Sequence, residues 1–135
     1  MTDLLGASGT KILAADDDRI VRRIIVAKLT GLGYEVTEAE DGQEAIEILE
    51  GGAVPDLLIT DSLMPRMGGL ELVRSVRNSP NSAVAGLPVI MLTSRQAERD
   101  VIEGLEIGLD DYVTKPFSPD ELAARVRTAL WRARR

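Results

Sequence analysis

Short apolar runs alternate with longer stretches of helical period along the whole chain. The apolar runs, which are rich in aliphatic and β-branched residues, predict five strands at residues 11–15, 34–38, 56–60, 87–92 and 111–114. Between and after these runs, apolar residues recur every three to four positions, which predicts five helices. This alternation is typical of a parallel sheet covered by helices on both faces. We therefore expect a single-domain, doubly wound α/β fold.

Local signals support several of the predicted helices. The apolar stripe of the first helix consists of Val21, Ile24, Ile25, Leu29 and Leu32. Asp41 and Glu44 have the spacing of a capping box, which predicts the start of the second helix. Ser118 before Pro119 is a typical start for the last helix. These signals place helices after the first, second and fifth strands.

Other segments carry weaker signals. The fourth predicted helix, at residues 97–107, has a thin apolar stripe and contains Gly104, a weak helix former. Residues 78–86 combine proline with small polar residues and are predicted to be a loop. Residues 1–10 are small and polar apart from two leucines, and we expect a flexible N-terminal arm.

Composition excludes several classes of site. A chain of 135 residues fits one domain. It contains no cysteine and no histidine, which excludes disulfides, thiolate or imidazole metal sites and Ser-His-Asp triads. Oxygen atoms must therefore hold any metal. The net charge of −6 argues against binding of nucleic acid or an anionic membrane through this chain. Without an apolar run of roughly 20 residues or a signal peptide, we expect a cytoplasmic protein.

Polar residues follow the predicted strands at one edge of the sheet, where ligands bind in open α/β folds. They are Asp16, Asp17 and Asp18 after the first strand, Asp61 after the third, Thr93 and Ser94 after the fourth, and Lys115 after the fifth. Clustered carboxylates repel one another, and Mg²⁺ relieves that repulsion while also binding phosphate oxygens. A hydroxyl and a lysine suit the other oxygens of a phosphoryl group. The pattern indicates phosphate chemistry on a carboxylate.

Four motifs occur together, in order: ILAADDD at 12–18, LLITDSLMPRMGG at 57–69, PVIMLTS at 88–94 and DDYVTKPF at 110–117. Over about residues 10–132 the chain thereby resembles the receiver domain of bacterial response regulators, the CheY-like family. The resemblance implies a flavodoxin-like sheet of strand order 2-1-3-4-5. It also implies a receiver domain at residues 11–132 with a C-terminal tail at 133–135.

The resemblance implies a phospho-accepting receiver of a two-component signalling system. Asp61 would take a phosphoryl group from the phosphohistidine of a separate histidine kinase or phosphotransfer protein. Asp17 and Asp61 would bind Mg²⁺ directly, Asp16 would bind it through water, and the backbone carbonyl of Leu63 would be a further ligand. Such a protein is a signalling domain that catalyses only its own phosphorylation and slow autodephosphorylation.

Further positions are implied by the same resemblance. Thr93 and Lys115 would bind phosphoryl oxygens, and Thr93 and Tyr112 would form the conformational switch. The Lys115–Pro116 peptide bond would be cis. The fourth helix, fifth strand and fifth helix resemble the dimer face of the OmpR/PhoB group, which implies a phosphorylation-dependent homodimer. Its interface residues would be Leu105, Glu106, Asp111, Ala123, Arg125 and Arg127, although the same charges could be ordinary exposed residues.

Two positions differ from those of receivers with the fastest turnover. Leu63 and Arg95 flank the path by which water reaches the phosphorylated aspartate in that family. A branched apolar Leu63 predicts a longer phosphoryl lifetime. Three alternatives are an FMN-binding protein, which the acidic loop after the first strand opposes, an aspartate-nucleophile phosphatase, and a degenerate receiver that serves only as a docking scaffold.

Overall fold

Five strands form one parallel sheet in the computed structural model, which describes residues 8–94 and 98–134. The strands are β1 (Lys11–Ala15), β2 (Glu35–Ala39), β3 (Leu57–Asp61), β4 (Val89–Thr93) and β5 (Asp111–Thr114). They are ordered β2-β1-β3-β4-β5, and all four pairings are parallel. This arrangement confirms the predicted fold class and strand order.

Helices connect the strands and cover the sheet. They are α1 (Arg19–Gly31), α2 (Gly42–Glu50), α3 (Gly69–Arg77), α4 (Ser82–Ala85), α5 (Glu98–Ile107) and α6 (Pro119–Arg134). The prediction of five helices was wrong because it assigned residues 78–86 to a loop. In that segment Asn81 caps α4 by accepting a hydrogen bond from the Ala83 N–H (2.9 Å), and Val84 is buried. Four residues are too few to show a helical period in the sequence.

The sheet has an apolar layer on each face, since β1 alternates its side chains between the two sides. Ile12 and Ala14 lie in the layer that includes buried residues of α1 and α6, whereas Leu13 and Ala15 lie in the layer of α2 and α3. Every residue of β3 and β4 is buried. Continuous apolar runs are typical of central strands in parallel sheets, because helices cover both faces.

The predicted stripe of α1 is wider than the buried surface. Ile24 and Leu32 are 42% and 41% exposed, whereas Ile25 and Leu29 are fully buried. Leu32 is the C-cap residue, just after the last residue of the helix, and Ile24 lies beside the line of buried residues that contains Ile25 and Leu29. The polar Arg22 occupies a buried position of this helix. Apolarity alone therefore did not identify the buried face.

Several boundaries differ from the predicted ones. β2, β3 and β4 begin one or two residues later than predicted and also end one residue later. Asp61 and Thr93 are therefore the last residues of β3 and β4 rather than the first residues after them. Residues 1–7 of the predicted arm lie outside the described residues, as do Arg95 and Arg135. Within the described ranges, no helix has the length and apolarity to cross a membrane.

Candidate functional site

An acidic cluster lies at the carboxyl edge of the central strands. Asp16 and Asp17 follow β1, and Asp61 ends the adjacent strand β3. Each of the three carboxylates has an oxygen within 4.8 Å of the others. Asp16 and Asp61 are buried, whereas Asp17 is exposed. The structure thus brings together the three carboxylates that the sequence analysis proposed as metal ligands.

Lys115 reaches this cluster from the edge of the sheet. It follows β5, and its peptide bond to Pro116 is cis, as the resemblance implied. Its Nζ lies 3.0 Å from Asp16 Oδ2 and 3.2 Å from Asp61 Oδ2. A single ammonium group therefore faces two buried carboxylates.

Backbone N–H groups orient the two buried carboxylates. Asp61 Oδ1 accepts a hydrogen bond from the Ser62 N–H at 2.8 Å, and Asp16 Oδ1 accepts one from the Asp18 N–H at 2.9 Å. The other oxygen of each carboxylate is turned toward Lys115. Asp18 has a separate role, because its side chain caps α1 by accepting from the N–H groups of the first turn.

The cluster carries more negative charge than Lys115 balances. Burial, and then the charge of Asp16, raise the pKa of Asp61 to about 6, against the opposing effects of Lys115 and the Ser62 N–H. Burial lowers the pKa of Lys115, but hydrogen bonds and charge attraction from Asp16 and Asp61 outweigh it and raise that pKa. A further cation would favour the ionised form of Asp61.

The donor set fits a hard divalent cation. All three side-chain groups are carboxylates, and the exposed Asp17 leaves the cluster open to solvent on one side. Magnesium prefers oxygen ligands and commonly uses one or two carboxylates together with water. The backbone carbonyl of Leu63 belongs to the loop that begins directly after Asp61, and the Leu63 side chain is 63% exposed.

The two predicted switch residues differ in burial. Thr93, the last residue of β4, is 2% exposed, and its hydroxyl donates to the Ser94 carbonyl at 3.2 Å. Tyr112 pairs with Met91 across β4 and β5 and is 40% exposed. The structure therefore places the hydroxyl inside the protein, near the ends of β3 and β4, and the aromatic ring at the outer surface.

The predicted dimer face contains an ion pair within one chain. Arg125 Nη1 lies 3.1 Å from both carboxylate oxygens of Asp111, and the same guanidinium lies 3.8 Å from Glu121. Leu105, Glu106 and Arg127 are exposed, whereas Ala123 packs partly against the core. Two residues of the predicted dimer face, Asp111 and Arg125, are thus paired with each other inside a single copy.

Two arginines near the site were not found from the sequence. Arg22 in α1 is buried, and its Nη1 donates to the Asp16 carbonyl at 2.7 Å. Arg66, in the loop after β3, pairs with Asp41 at the start of α2. The usable signal was the spacing of Arg22, which lies three residues before Ile25 and seven before Leu29 and so falls on the apolar stripe of α1. Nothing in the sequence connects Arg66 to Asp41, which lies 25 positions earlier.

A parallel five-stranded sheet that gathers an acidic cluster and a lysine at its carboxyl edge is the arrangement expected of a CheY-like receiver. Residues 12–127 match the family model of the response regulator receiver domain. The chain therefore belongs to the response regulator receiver family.

Curated relatives and solved structures agree with this assignment. The chain is 45% identical over 123 residues to the protein named probable transcriptional regulator ycf27 of Porphyra purpurea, covering 91% of this chain and 48% of that protein. It is 41% identical over 124 residues to the phosphate regulon transcriptional regulatory protein PhoB of Pseudomonas aeruginosa, covering 92% and 53%. The chain thus spans about half the length of these relatives.

Among solved structures, the chemotaxis response regulator CheY4 of Vibrio cholerae matches with a TM-score of 0.80 and 34% identity, over 89% of this chain and 98% of that one. The Francisella response regulator 1452 receiver domain matches with a TM-score of 0.80 and 36% identity, over 92% and 98%. Both are similar to this chain over nearly their whole length.

Proposed function

We propose that Asp61 accepts a phosphoryl group from the phosphohistidine of a histidine kinase or phosphotransfer protein. The observation that carries this proposal is the position of Lys115, whose Nζ lies between the buried carboxylates of Asp16 and Asp61. Membership of the receiver family supports it. In the reaction, an Asp61 oxygen forms a bond to phosphorus while the bond from phosphorus to the histidine nitrogen breaks, giving an acyl phosphate.

Each residue of the cluster has a defined task in this proposal. Lys115 pairs with a phosphoryl oxygen once the phosphoryl group occupies the space beside Asp61. The Thr93 hydroxyl turns from the Ser94 carbonyl to another phosphoryl oxygen. Asp16, Asp17, Asp61 and the Leu63 carbonyl would hold Mg²⁺, Asp16 through water. When bound, this ion neutralises the negative charge that gathers on the phosphoryl oxygens.

The signal then passes to the surface formed by α5, β5 and α6. Movement of Thr93 toward Asp61 vacates space at the end of β4, and the exposed ring of Tyr112 moves inward. The two states differ in population, and the phosphoryl group favours the second through contacts that exist only there. A homodimer through Leu105, Glu106, Asp111, Ala123, Arg125 and Arg127 is the proposed readout. The Asp111–Arg125 pair must then open or be shared with the second copy.

The proposed place of action is the cytoplasm, and the proposed role is signalling rather than catalysis on another substrate. Curated relatives about twice as long as this chain are named transcriptional regulators. The net charge of −6 disfavours DNA contact through these residues. We therefore propose that this chain acts as the receiver part of such a regulator and binds proteins.

The test is intact-mass spectrometry after incubation with acetyl phosphate and Mg²⁺. The parent should gain one phosphoryl group and Asp61→Asn none. Asp120→Asn is the matched control, because Asp120 is an exposed carboxylate that pairs with Lys28 away from the cluster. Labelling of Asp61→Asn at the rate of the parent would show that the assignment is wrong. A parent protein that stays unlabelled, with acetyl phosphate and with phosphorylated kinases alike, would favour the docking-scaffold alternative.

A further inference from the structure

The loop after Asp61 contains an unusually tight turn. Residues 62–68 connect the end of β3 to α3. Within them the Met67 N–H donates to the Pro65 carbonyl at 2.7 Å, which closes a three-residue turn centred on Arg66. This turn lies in the same short loop as the Leu63 carbonyl. Its geometry therefore bears on where that carbonyl sits relative to Asp61.

Arg66 has a backbone conformation that is unfavourable for arginine. Its φ is 64°, and within the described ranges it is the only non-glycine residue with a positive φ. A Cβ in this region clashes with the neighbouring backbone, which costs energy that glycine would avoid. Contacts around the turn must offset this cost, and those of the Arg66 side chain are among them.

The side chain of Arg66 makes a two-point ion pair with Asp41. Arg66 Nε lies 2.7 Å from Asp41 Oδ2, and Nη2 lies 3.1 Å from Oδ1. The Asp41 side chain is only 9% exposed. The hydrogen bond from Arg66 and then that from the Glu44 N–H lower the pKa of Asp41, so the carboxylate is ionised at neutral pH. Two parallel hydrogen bonds fix the guanidinium in one orientation.

Asp41 is in turn held in place by α2. It is the N-cap of that helix, and its Oδ1 accepts from the Glu44 N–H at 2.8 Å. The next residue, Gly42, donates its N–H to the Met67 carbonyl at 3.0 Å, and a Cβ at Gly42 would lie 2.5 Å from that oxygen. The start of α2 therefore contacts the loop through one side-chain pair and one backbone hydrogen bond.

We propose that the Asp41–Arg66 ion pair is a positioning clamp for the loop that carries the Leu63 carbonyl. It holds the strained turn against α2 and thereby sets the position of this carbonyl beside Asp61. Arg66 and Asp41 are positioning residues, since neither touches the phosphoryl group in the proposed reaction. The inference rests on the proposed function only for its effect on phosphoryl lifetime. Its effect on metal affinity does not require phosphorylation.

Three variants of the whole 135-residue chain test the clamp. Arg66→Gln removes the ion pair and keeps the strain, whereas Arg66→Gly removes both. Asp41→Asn removes the charge but keeps a residue that can cap α2. Arg74→Gln is the matched control, because Arg74 makes an exposed ion pair with Glu103 at 3.0 Å on another part of the surface. Mg²⁺ titrations followed by amide NMR of residues 61–69 give the dissociation constant, and urea unfolding gives the stability.

All three variants should bind Mg²⁺ about 3- to 10-fold more weakly than the parent, with shifted amide resonances in the loop before metal is added. The control should match the parent. Arg66→Gly separates positioning from stability, because relief of the backbone strain should make it at least as stable as Arg66→Gln while its metal affinity stays low. Loss of the phosphoryl group from Asp61 should change in rate in the same variants.

Two results would overturn the clamp. One is a parent-like Mg²⁺ dissociation constant and parent-like loop resonances in both Arg66 variants. The other is a Mg²⁺ affinity that changes in parallel with the stability across the variants, so that Arg66→Gly is both more stable than Arg66→Gln and closer to the parent in Mg²⁺ affinity. A parent that binds Mg²⁺ at the acidic cluster but is never phosphorylated would overturn the proposed function alone. A parent that binds no Mg²⁺ there would overturn the clamp.

Discussion

Two ion pairs of nearly equal length lie in very different surroundings in this protein. Lys115 Nζ is 3.0 Å from Asp16 Oδ2, and Arg125 Nη1 is 3.1 Å from Asp111 Oδ2. The Lys115 and Asp16 side chains are 23% and 0% exposed, whereas those of Arg125 and Asp111 are 42% and 24% exposed. Water therefore screens the second pair much more than the first.

The charge balance of the two pairs also differs. Lys115 is shared by Asp16 and Asp61, and Asp17 adds a third carboxylate nearby. Among the described side chains, Arg125 instead pairs with Asp111 and, at the longer distance of 3.8 Å, with Glu121. The acidic cluster is thus short of positive charge, which a metal ion can supply, whereas the Asp111–Arg125 pair is nearly balanced by itself. Distance alone does not reveal what an ion pair does. Burial and the surrounding charges decide it.

The largest difference should appear when the cation of each pair is removed. Lys115→Met leaves two buried carboxylates without their cationic partner, and we expect the free energy of unfolding to fall by about 3 kcal/mol at pH 8 without metal. Arg125→Met should cost less than about 1 kcal/mol, because both side chains of this pair are partly exposed to water. Urea unfolding of both variants measures this. Equal losses would mean that burial does not separate the two pairs.

The folded protein should also become more stable when one negative charge is removed from the acidic cluster. The folded-state pKa of Asp61 is about 6, above the ordinary value of 3.8, so the folded protein favours protonated Asp61. The stability from this group is fully present below pH 4 and is lost as pH rises through 6. Asp61→Asn cannot ionise and should be more stable than the parent by about 3 kcal/mol at pH 8.

Urea unfolding of metal-free protein between pH 4 and 8 tests this pH dependence. The difference between Asp61→Asn and the parent should be near zero at pH 4 and grow to its full size above pH 7. Asp111→Asn, which removes a carboxylate from the partly exposed pair, is the matched control. A constant difference across the pH range would contradict the raised pKa of Asp61.

Access of water to the phosphorylated Asp61 can be tested by changing Leu63. This exposed apolar side chain offers no hydrogen bond to an attacking water, so we expect Leu63→Asn to lose the phosphoryl group about 3- to 10-fold faster than the parent. The physical reason is that the Asn amide can donate a hydrogen bond to the attacking water or accept one from it, and so hold it in place. Time-resolved loss of label after removal of acetyl phosphate measures the rate. Ile102→Asn, another exposed apolar position, is the control. An equal or slower loss from Leu63→Asn would refute the idea.

The smallest effect is expected at the surface pair. We expect beryllofluoride with Mg²⁺ to strengthen a weak symmetric dimer through α5, β5 and α6, and Arg125→Glu to weaken it. Because exposed charges are screened, the dimer should also weaken as the Debye length falls from about 10 Å at 0.1 M salt to about 3 Å at 1 M. Sedimentation velocity measures both. A dimer that tolerates Arg125→Glu would place the interface elsewhere.

Several features of the fold and of the site could be predicted from the sequence, because local patterns and motif spacing indicate them. The strand order, the convergence of Asp16, Asp17 and Asp61, and the reach of Lys115 are confirmed by the structure. The convergence of these side chains follows from one rule, which is that parallel strands bring their carboxyl ends to a single edge, whereas the strand order was implied by the resemblance to receiver domains. Roles in phosphorylation and dimerisation remain predictions.

Other features depend on contacts between distant parts of the chain. The burial of Arg22, the exposure of Ile24 and the short helix Ser82–Ala85 all depart from what apolar periodicity predicted. Apolar periodicity predicts the side of a helix that faces the core, but the exact residues that are buried depend on the elements packed against that helix.

The pattern of the sequence predicted the fold class, because alternating apolar runs and capping residues act over a few positions and agree with one another. It also determined which chemical groups meet at the sheet edge. The ionisation of those groups and the contacts that fix their positions depend on the tertiary structure. The raised pKa of Asp61 and the pairing of Arg66 with Asp41 arise from burial and from distances across the fold. Coulomb energy and desolvation depend on those distances, and the order of residues along the chain does not encode them directly.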